Sequence, residues 1–468
     1  MPHAPLPESS DVSNSIAMDV LSLAHDGRAV CREGGKVVFV RGGLPGQRIQ
    51  VRLTHEKKRF AEGQCVAVLR PAPDAVPAPC PHAGACGGCP LQEMPYASQL
   101  YWKSRILEQT LLRIGKLPSV PLQPIIPSPR PWGYRNKMEW AFANGAEGEL
   151  LLGMRAAGSH AVVNIRDCLL PPPGGMDVAR ALRPLAAATG LPAWEADAEQ
   201  GHGFWRHAVV RMPQSGASNA PSPCLLTCIT APGDARARDA VKALGQELMA
   251  RLPRLTGFVH EERRAPSMVA QGERTVLRLG ETTLQETLGG LSFSLDHGGF
   301  FQINTDAAES LCATARRMAA LRGTETLWDL YCGAGAPGLC LARDAAEVWG
   351  VEVSAPSVDR ARRNAAAAGM THCQYEAGDA ATTIHGWSAP HVVLADPPRA
   401  GMHADVIHRL LRAQPDKIIY ISCNPATLAR DIALLSAGYD VAEVVPVDLF
   451  PQTPHVESVT LLHRRSGG

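Results

Sequence analysis

The sequence predicts an α/β protein in which a small β-barrel and a mixed α+β region precede a mostly parallel sheet covered by helices. Three observations support this fold class. From about residue 286, β-rich runs alternate with Ala- and Arg-rich stretches of helical length. Residues 16–70 contain short alternating segments separated by Gly- and Pro-bearing turns, typical of a small antiparallel barrel. Between these two regions, strands and helices mix without a strong pattern.

The chain of 468 residues is too long for one typical domain, and its composition changes along its length. We expect a flexible tail (1–15), the barrel (16–70), a cysteine-rich loop (71–94), a central α+β domain (95–285) and a C-terminal α/β domain (286–468). A helix predicted at 95–116 could pack on the C-terminal domain. An exposed inserted loop is predicted at 213–223, where the sequence reads PQSGASNAPSP.

Charge is nearly balanced over the whole chain but not along it. The chain contains 46 Lys and Arg and 45 Asp and Glu, which gives a net charge of +1. Residues 28–140 nevertheless carry 17 basic and 7 acidic side chains, a surplus of +10, which leaves −9 for the other segments. The N-terminal third is therefore a candidate surface for a polyanion such as a nucleic acid.

Cysteine content and hydropathy predict the cellular environment. Thirteen cysteines are far too few for a disulfide-stapled secreted scaffold, and the N-terminus lacks a signal-peptide pattern. No run of 18 apolar residues occurs. We therefore expect a cytoplasmic protein with reduced thiols and no membrane function.

The first two strands of the C-terminal domain end in residues that suit an adenosyl cofactor. A turn containing Gly333, Gly335 and Gly338 allows close backbone approach before a helix begins. The next strand ends in Glu352, which can accept hydrogen bonds from a ribose diol, and Asp379 could face the adenine. The alternative for the turn is that it only packs a helix against the sheet.

The fourth and fifth strands end in candidate reactive groups. Asp396 precedes two prolines that fix a rigid turn beside the cofactor, where it can meet a base edge. The residue after these prolines is Arg399 rather than an aromatic one, which counts against methylation of an exocyclic amino group. Cys423 stands just before a predicted helix, whose N-terminus is expected to stabilise a thiolate. The alternative is a buried core cysteine.

Glu457 interrupts an apolar strand near the C-terminus. It lies either on the solvent face of that strand or in a partly desolvated position, where its pKa would rise toward that of a working base. Together with Cys423, it makes a nucleophile and base pair plausible.

The cysteine-rich loop predicts a metal centre. Cys80, Cys86 and Cys89 are clustered in a Gly-rich segment, and Cys168, in a Pro-bounded turn, is the best candidate for the fourth ligand. Three clustered cysteines with a distant fourth suit a 4Fe-4S cluster, and zinc is the alternative.

Several blocks of sequence together closely resemble the RNA uracil-5-methyltransferases, the RumA/TrmA family. These blocks are CPHAGACGGCPLQ, YRNKMEW, FFQIN, DLYCGAGAPGL, ADPPRAGM, ISCNPATLARD and HVESVTLL, and the resemblance covers nearly the whole chain. The barrel resembles a TRAM domain, an OB-like RNA-binding module. Chains with both barrel and cluster are similar to the RumA type, which methylates ribosomal RNA. The C-terminal domain is then expected to be a class I, Rossmann-like S-adenosylmethionine-dependent methyltransferase domain.

The resemblance implies a residue-level mechanism. Cys423 would add to carbon-6 of uracil, Glu457 would later remove the carbon-5 proton, and Asp396 would hold the uracil edge. The cofactor contacts implied are Gln302, Tyr331, Gly333, Gly335, Glu352, Asp379 and Asp396. Ala336-Pro337 and Gly378 depart from the family pattern. No cofactor contact is predicted at Ala336-Pro337. Because Gly378 departs from the pattern, the predicted cofactor contact of Asp379 depends only on its position beside Gly378.

The leading hypothesis is therefore 5-methyluridine formation in 23S ribosomal RNA by a monomer that uses S-adenosylmethionine and carries a 4Fe-4S cluster. The same chemistry on tRNA is the nearest alternative. An iron-sulfur RNA-binding protein without methyl transfer belongs to a different class. A cytosine-5 methyltransferase is disfavoured, because the acidic base-edge contact and the terminal Glu match the uracil enzymes better.

Overall fold

The structure is a computed structural model that describes residues 15–196, 201–214 and 222–465. The tail predicted at 1–15, except its last residue, and most of the loop predicted at 213–223 therefore lie outside the described residues. Within the described ranges, no helix is long and apolar enough to cross a membrane.

The N-terminal region forms a six-stranded sheet around its own small core. Its strands are β1 (Ser15–Asp19), β2 (Ser22–Leu23), β3 (Ala29–Glu33), β4 (Lys36–Arg41), β5 (Arg48–Glu56) and β6 (Phe60–Arg70). They lie in the order β1-β5-β6-β4-β3-β2. Alternate residues such as Val38, Val40, Ile49 and Val51 point inward and are buried together. All pairs but one are antiparallel: β4 and β6 run parallel because β6, the hairpin partner of β5, inserts between β5 and β4.

Helix α1 (Tyr96–Arg113) follows the cysteine-rich loop. Its side chains Leu107 and Leu111 belong to the apolar core of the C-terminal sheet, and the helix packs against that domain rather than against the central one. Another face of the helix contacts the barrel, because Ile106 and Trp102 share a small cluster with Leu23. The helix therefore connects the barrel to the C-terminal domain.

In the part of the central region that the structure describes, one mixed sheet packs with two helices. Its strands are β7 (Lys137–Asn144), β8 (Leu150–Arg155), β9 (Val162–Asn164), β10 (Trp205–Arg211), β11 (Cys224–Thr230), β12 (Leu255–Glu262) and β13 (Arg274–Gly280). The helices are α2 (Gly175–Ala188) and α3 (Ala235–Arg251). Strands β11 and β12 are parallel because α3 connects them as a crossover. A hairpin of β14 (Thr283–Leu288) and β15 (Leu291–Asp296) leads into the C-terminal domain.

The C-terminal domain alternates strands and helices as the sequence predicts. Its elements are α4 (Thr305–Ala319), β16 (Thr326–Leu330), α5 (Ala336–Ala342), β17 (Glu347–Glu352), α6 (Ala355–Ala367), β18 (Cys373–Ala377), α7 (Ala380–Thr383), β19 (Val392–Ala395), α8 (Ala404–Ala413), β20 (Lys417–Ser422), α9 (Pro425–Leu435), β21 (Tyr439–Val447) and β22 (Glu457–Arg464). The strand order is β18-β17-β16-β19-β20-β22-β21. The first five are parallel, whereas β22 runs antiparallel to both neighbours.

Both faces of this sheet are covered. Helices α4, α5 and α6 and the β14–β15 hairpin bury one face, and α1, α7, α8 and α9 bury the other. Because both faces are buried, strands such as β19 and β20 consist of nearly continuous apolar residues. The boundary predicted at 286 falls inside β14, so the hairpin that packs on this domain begins slightly earlier.

Candidate active site and cysteine-lined cavity

The candidate catalytic residues meet at the carboxyl edge of the C-terminal sheet. Strand β19 ends just before Asp396 and β20 just before Cys423, and the parallel register places both ends at one edge. The antiparallel register pairs Ser422 with Ser458. The residues that come next in this register, Cys423 and Glu457, therefore lie side by side where these two strands meet.

Hydrogen bonds fix the two reactive loops against each other. Asn424 caps α9 through its side-chain oxygen, which accepts from the Ala426 amide at 3.1 Å. Its side-chain amide donates to the Arg399 carbonyl at 2.9 Å, and the Thr427 hydroxyl donates to the same oxygen at 3.3 Å. The loop after Asp396 and the loop of Cys423 therefore form one unit.

The electrostatics of Cys423 differ from the sequence prediction. Burial and the nearby Glu457 and Asp396 carboxyls raise the pKa of the Cys423 thiol to about 11, and the cation of Arg399 only partly opposes this. Burial and these two acidic neighbours therefore oppose the thiolate stabilisation that the sequence predicts from the helix N-terminus. Pro425 occupies the first turn of α9 and brings no amide hydrogen, while two acidic neighbours act from other strands.

The two carboxyl groups hold protons more tightly than usual. Burial raises the pKa of Asp396 to about 7. Burial, followed by repulsion from Asp396, raises the pKa of Glu457 to about 8, against a smaller lowering by Arg399. Glu457 is only 4% exposed, so the desolvated position is the observed one of the two that the sequence allowed. Both groups can therefore exchange protons near neutral pH.

The predicted cofactor residues occupy the neighbouring strand ends. Tyr331 follows β16 with a φ of 63°, an uncommon conformation for a residue with a side chain. The carboxylate of Glu352 accepts from the amides of Gly333 (3.3 Å) and Ser354 (2.9 Å). Asp379 caps the short helix α7 by accepting from the Ala381 amide at 2.7 Å.

The Gly-rich turn has a steric requirement at each of its three glycines. Gly333 and Gly335 have φ values of 55° and 81°. A Cβ atom on Gly338 would lie 1.9 Å from Asp329 Oδ2, so only glycine fits there. The three glycines have the G-x-G-x-x-G spacing that dinucleotide-binding turns also use, so spacing alone does not distinguish between adenosyl cofactors.

Gln302 lies between β15 and α4, beside the central sheet. Its carbonyl accepts from the Asn136 side chain of the YRNKMEW block at 2.8 Å. The preceding segment is held to α6 by Arg360, which donates to Asp296 at 2.9 Å. These hydrogen bonds tie the FFQIN block to both domains.

Three residues at this edge were not singled out as site residues by sequence reasoning. Asp329 is a buried acid in β16 whose Oδ2 has no hydrogen-bond partner among the described residues, and burial raises its pKa. Val353, next to Glu352, is 78% exposed despite being apolar. Arg399 influences Cys423 and Glu457, but the sequence was interpreted there only as the lack of an aromatic residue. An acid inside an apolar strand was the available signal for Asp329.

The four predicted cluster cysteines share one cavity. The residues that line it include Cys80, Cys86, Cys89 and Cys168. Burial, together with mutual repulsion, raises the pKa of Cys89 to about 12 and that of Cys168 to about 11. Among the residues that the structure describes, no group of three or more His, Cys, Asp or Glu has the spacing to hold a metal ion. The four cysteines line the same cavity.

Comparison with known proteins identifies the family. The family profile described as tRNA (Uracil-5-)-methyltransferase matches residues 243–377 and 384–465, and the TRAM domain profile matches residues 17–66. An uncharacterized RNA methyltransferase of Nitratidesulfovibrio vulgaris is 45% identical over 462 residues, 97% of each chain. The chain belongs to the RNA (uracil-5-)-methyltransferase family. An uncharacterized RNA methyltransferase of Listeria innocua is 35% identical over 92% of this chain and 93% of its own.

The fold of the chain agrees with its membership in the RNA (uracil-5-)-methyltransferase family. The chain is similar to the tRNA (uracil-54, C5)-methyltransferase of Pyrococcus abyssi in complex with S-adenosyl-L-homocysteine, with a TM-score of 0.75 and 25% identity. That similarity covers 96% of this chain and all of the other. The predicted fold class, the TRAM domain, S-adenosylmethionine as methyl donor and the enzyme class are thereby confirmed.

Proposed function

We propose that this RNA (uracil-5-)-methyltransferase modifies a uridine of 23S ribosomal RNA through a covalent adduct between Cys423 and carbon-6. The observation that carries the proposal is the meeting of Cys423, Asp396 and Glu457 where β19, β20 and β22 end. Carbon-5 of uracil is a poor nucleophile, and a thiol at this edge can activate it by addition. The target uridine must leave its stack to reach these groups.

The charges of the site indicate an order of proton movements. The Cys423 thiol must lose its proton before attack, and the two carboxylates oppose this. Transfer of that proton to Asp396 removes an opposing negative charge and leaves Glu457 free to accept the carbon-5 proton later. Near neutral pH, Asp396 exists in both protonation states and can accept from the N3–H of uracil or donate to a ring carbonyl.

The remaining steps are formation, methylation and breakdown of the covalent adduct. The thiolate adds to carbon-6, the resulting enolate attacks the methyl group supplied by S-adenosylmethionine through carbon-5, and S-adenosylhomocysteine leaves. Glu457 then takes the carbon-5 proton, the bond from sulfur to carbon-6 breaks, and the thiolate returns. The residues proposed to bind S-adenosylmethionine are the predicted cofactor residues, namely Gln302, Tyr331, Gly333, Gly335, Glu352 and Asp379.

We further propose that Cys80, Cys86, Cys89 and Cys168 hold a 4Fe-4S cluster. In such a cluster each cysteine binds a different iron, so the sulfurs can be farther apart than the ligands of one zinc ion. Four thiols around one cavity fit this donor set. Protein purified without oxygen should be brown and contain iron and sulfide in equal amounts. Colourless protein with one zinc per chain would overturn the assignment.

The choice of ribosomal RNA rests on the combination of a TRAM barrel with a cysteine cluster. A tRNA uridine is the second candidate, favoured by the similarity to the Pyrococcus abyssi tRNA enzyme over that enzyme's whole length. Nucleoside analysis of purified ribosomal RNA and tRNA from strains with and without the gene separates the two. Loss of 5-methyluridine from ribosomal RNA supports the proposal, and loss confined to tRNA overturns it.

A further inference from the structure

The segment 448–456 connects β21 to β22 and leads directly into Glu457. It is held by a buried polar face of α1. Tyr96, Gln99 and Lys103 lie three and four residues apart on this helix, so they share one face. All three make hydrogen bonds to residues of the segment, which lie about 350 positions later in the chain.

The first anchor is an ion pair from which water is excluded. Lys103 and Asp448 are both 0% exposed, and Lys103 Nζ lies 2.6 Å from Asp448 Oδ1. The same ammonium donates to the Phe450 carbonyl at 2.9 Å. The other oxygen of Asp448 accepts from the Tyr96 hydroxyl at 2.9 Å, and that hydroxyl accepts from the Ser128 amide at 2.8 Å.

The second anchor is a reciprocal pair of amides. Gln99 Nε2 donates to Gln452 Oε1 at 2.9 Å, and the Gln452 backbone amide donates to Gln99 Oε1 at 2.9 Å. Gln452 has a φ of 70°, an unfavourable conformation that persists only where its surroundings enforce it. The Gln452 carbonyl also accepts from the amide of Leu91, two residues after Cys89, at 3.0 Å. The cysteine loop thus touches the same segment.

Stability alone does not explain this arrangement. A buried ion pair is often no more stabilising than apolar side chains of similar volume, although breaking it is costly. What the pair does supply is a fixed position for the backbone that precedes Glu457. The helix N-terminal to the central domain thereby determines the location of a carboxylate in the C-terminal domain.

We propose that Lys103 and Gln99 are positioning residues that hold the Glu457 carboxylate at the carbon-5 proton of the methylated adduct, acting through segment 448–456. The inference rests on the proposed function of Glu457. Cys423 and the cofactor turn lie on other loops, so addition and methyl transfer do not require this segment to be fixed. Displacement of Glu457 therefore slows one step, proton removal, and the methylated adduct accumulates before it.

The test uses full-length protein, S-adenosylmethionine and total RNA from a strain lacking the gene. The variants are Lys103→Met with Asp448→Asn, which leaves no unpaired buried charge, and Tyr96→Phe, which removes one hydroxyl. Protein-linked RNA that survives denaturing electrophoresis measures the adduct, and free 5-methyluridine measures release. We expect the double variant to accumulate adduct and release product roughly 10- to 100-fold more slowly, with a KM for RNA that falls together with kcat so that kcat/KM is unchanged. Tyr96→Phe should show a smaller effect in the same direction.

Leu107→Ala is the matched control, because Leu107 packs α1 on the C-terminal domain without touching segment 448–456 through a polar group. It should lower stability but accumulate no adduct. The proposal is overturned if the Lys103/Asp448 variant loses methyl transfer and release in equal proportion, or if Leu107→Ala accumulates as much adduct as Tyr96→Phe does. Failure of the proposed function looks different: wild-type enzyme would then form no adduct with RNA containing 5-fluorouridine.

Discussion

Breakdown of the covalent adduct is expected to accelerate as pH rises through about 8. Glu457 must be ionised to remove the carbon-5 proton, and burial together with Asp396 raises its pKa to about 8. A carboxyl with that pKa is about one-tenth ionised at pH 7 and about nine-tenths ionised at pH 9, so breakdown should rise about tenfold over this interval and then level off.

The pH profile must be measured on breakdown rather than on overall turnover. Adduct formation depends on the Cys423 thiolate, whose pKa is raised to about 11, and this step should keep rising above pH 9. Release of tritium from RNA that carries 5-tritiated uridine reports proton removal in a single turnover. Denaturing electrophoresis of the same samples gives the adduct concentration. The rate of tritium release divided by the adduct concentration is the rate constant for breakdown.

Two variants move the predicted midpoint in opposite directions. Asp396→Asn removes a like charge and should lower the pKa of Glu457, whereas Arg399→Met removes a favourable cation and should raise it. Residual activity is sufficient because only the shape of the profile is compared. A breakdown rate that is constant between pH 6 and pH 9, or shifts of the opposite sign, would refute the reasoning.

Three further outcomes are expected. Gly338→Ala should weaken S-adenosylhomocysteine binding at least about tenfold in calorimetry, since its Cβ would collide with Asp329 and displace the cofactor turn. Glu457→Gln should raise Tm relative to wild type at pH 9 but change it little at pH 5. A carboxyl whose pKa is raised in the folded state stabilises the protein at low pH, and this stability is lost as pH rises through the folded-state pKa of about 8. Replacing the three basic residues at 57–59 with Ala should flatten the salt dependence of RNA binding, by about 0.7–0.9 in the log–log slope for each phosphate that these side chains neutralise.

The parallel sheet and the residues at its edge follow from local sequence. Apolar runs of strand length bounded by turn residues locate β16 to β20, and parallel strands bring their carboxyl ends together. Asp396 and Cys423 could therefore be assigned to one site from the sequence alone. The burial of Glu457 could not, since it depends on which face of β22 meets the site.

The features that sequence reasoning missed depend on contacts between distant segments. The thiolate predicted for Cys423 took account of the helix that follows it but not of the carboxyls on β19 and β22. From the sequence, Lys103 would be predicted as an exposed residue of an amphipathic helix, because its partner Asp448 lies 345 residues away in the chain. Neither burial nor charge at such positions can be obtained without the tertiary fold.

The central claim, that Cys423 attacks carbon-6 of a uridine, is tested most directly with RNA in which uridine is replaced by 5-fluorouridine. Fluorine cannot be removed as a proton, so the methylated adduct should persist, depend on S-adenosylmethionine and map by mass spectrometry to the peptide that contains Cys423. The Cys423→Ser variant should form none. Absence of a denaturation-stable complex with the wild-type protein, or a complex that survives in Cys423→Ser, would contradict the account.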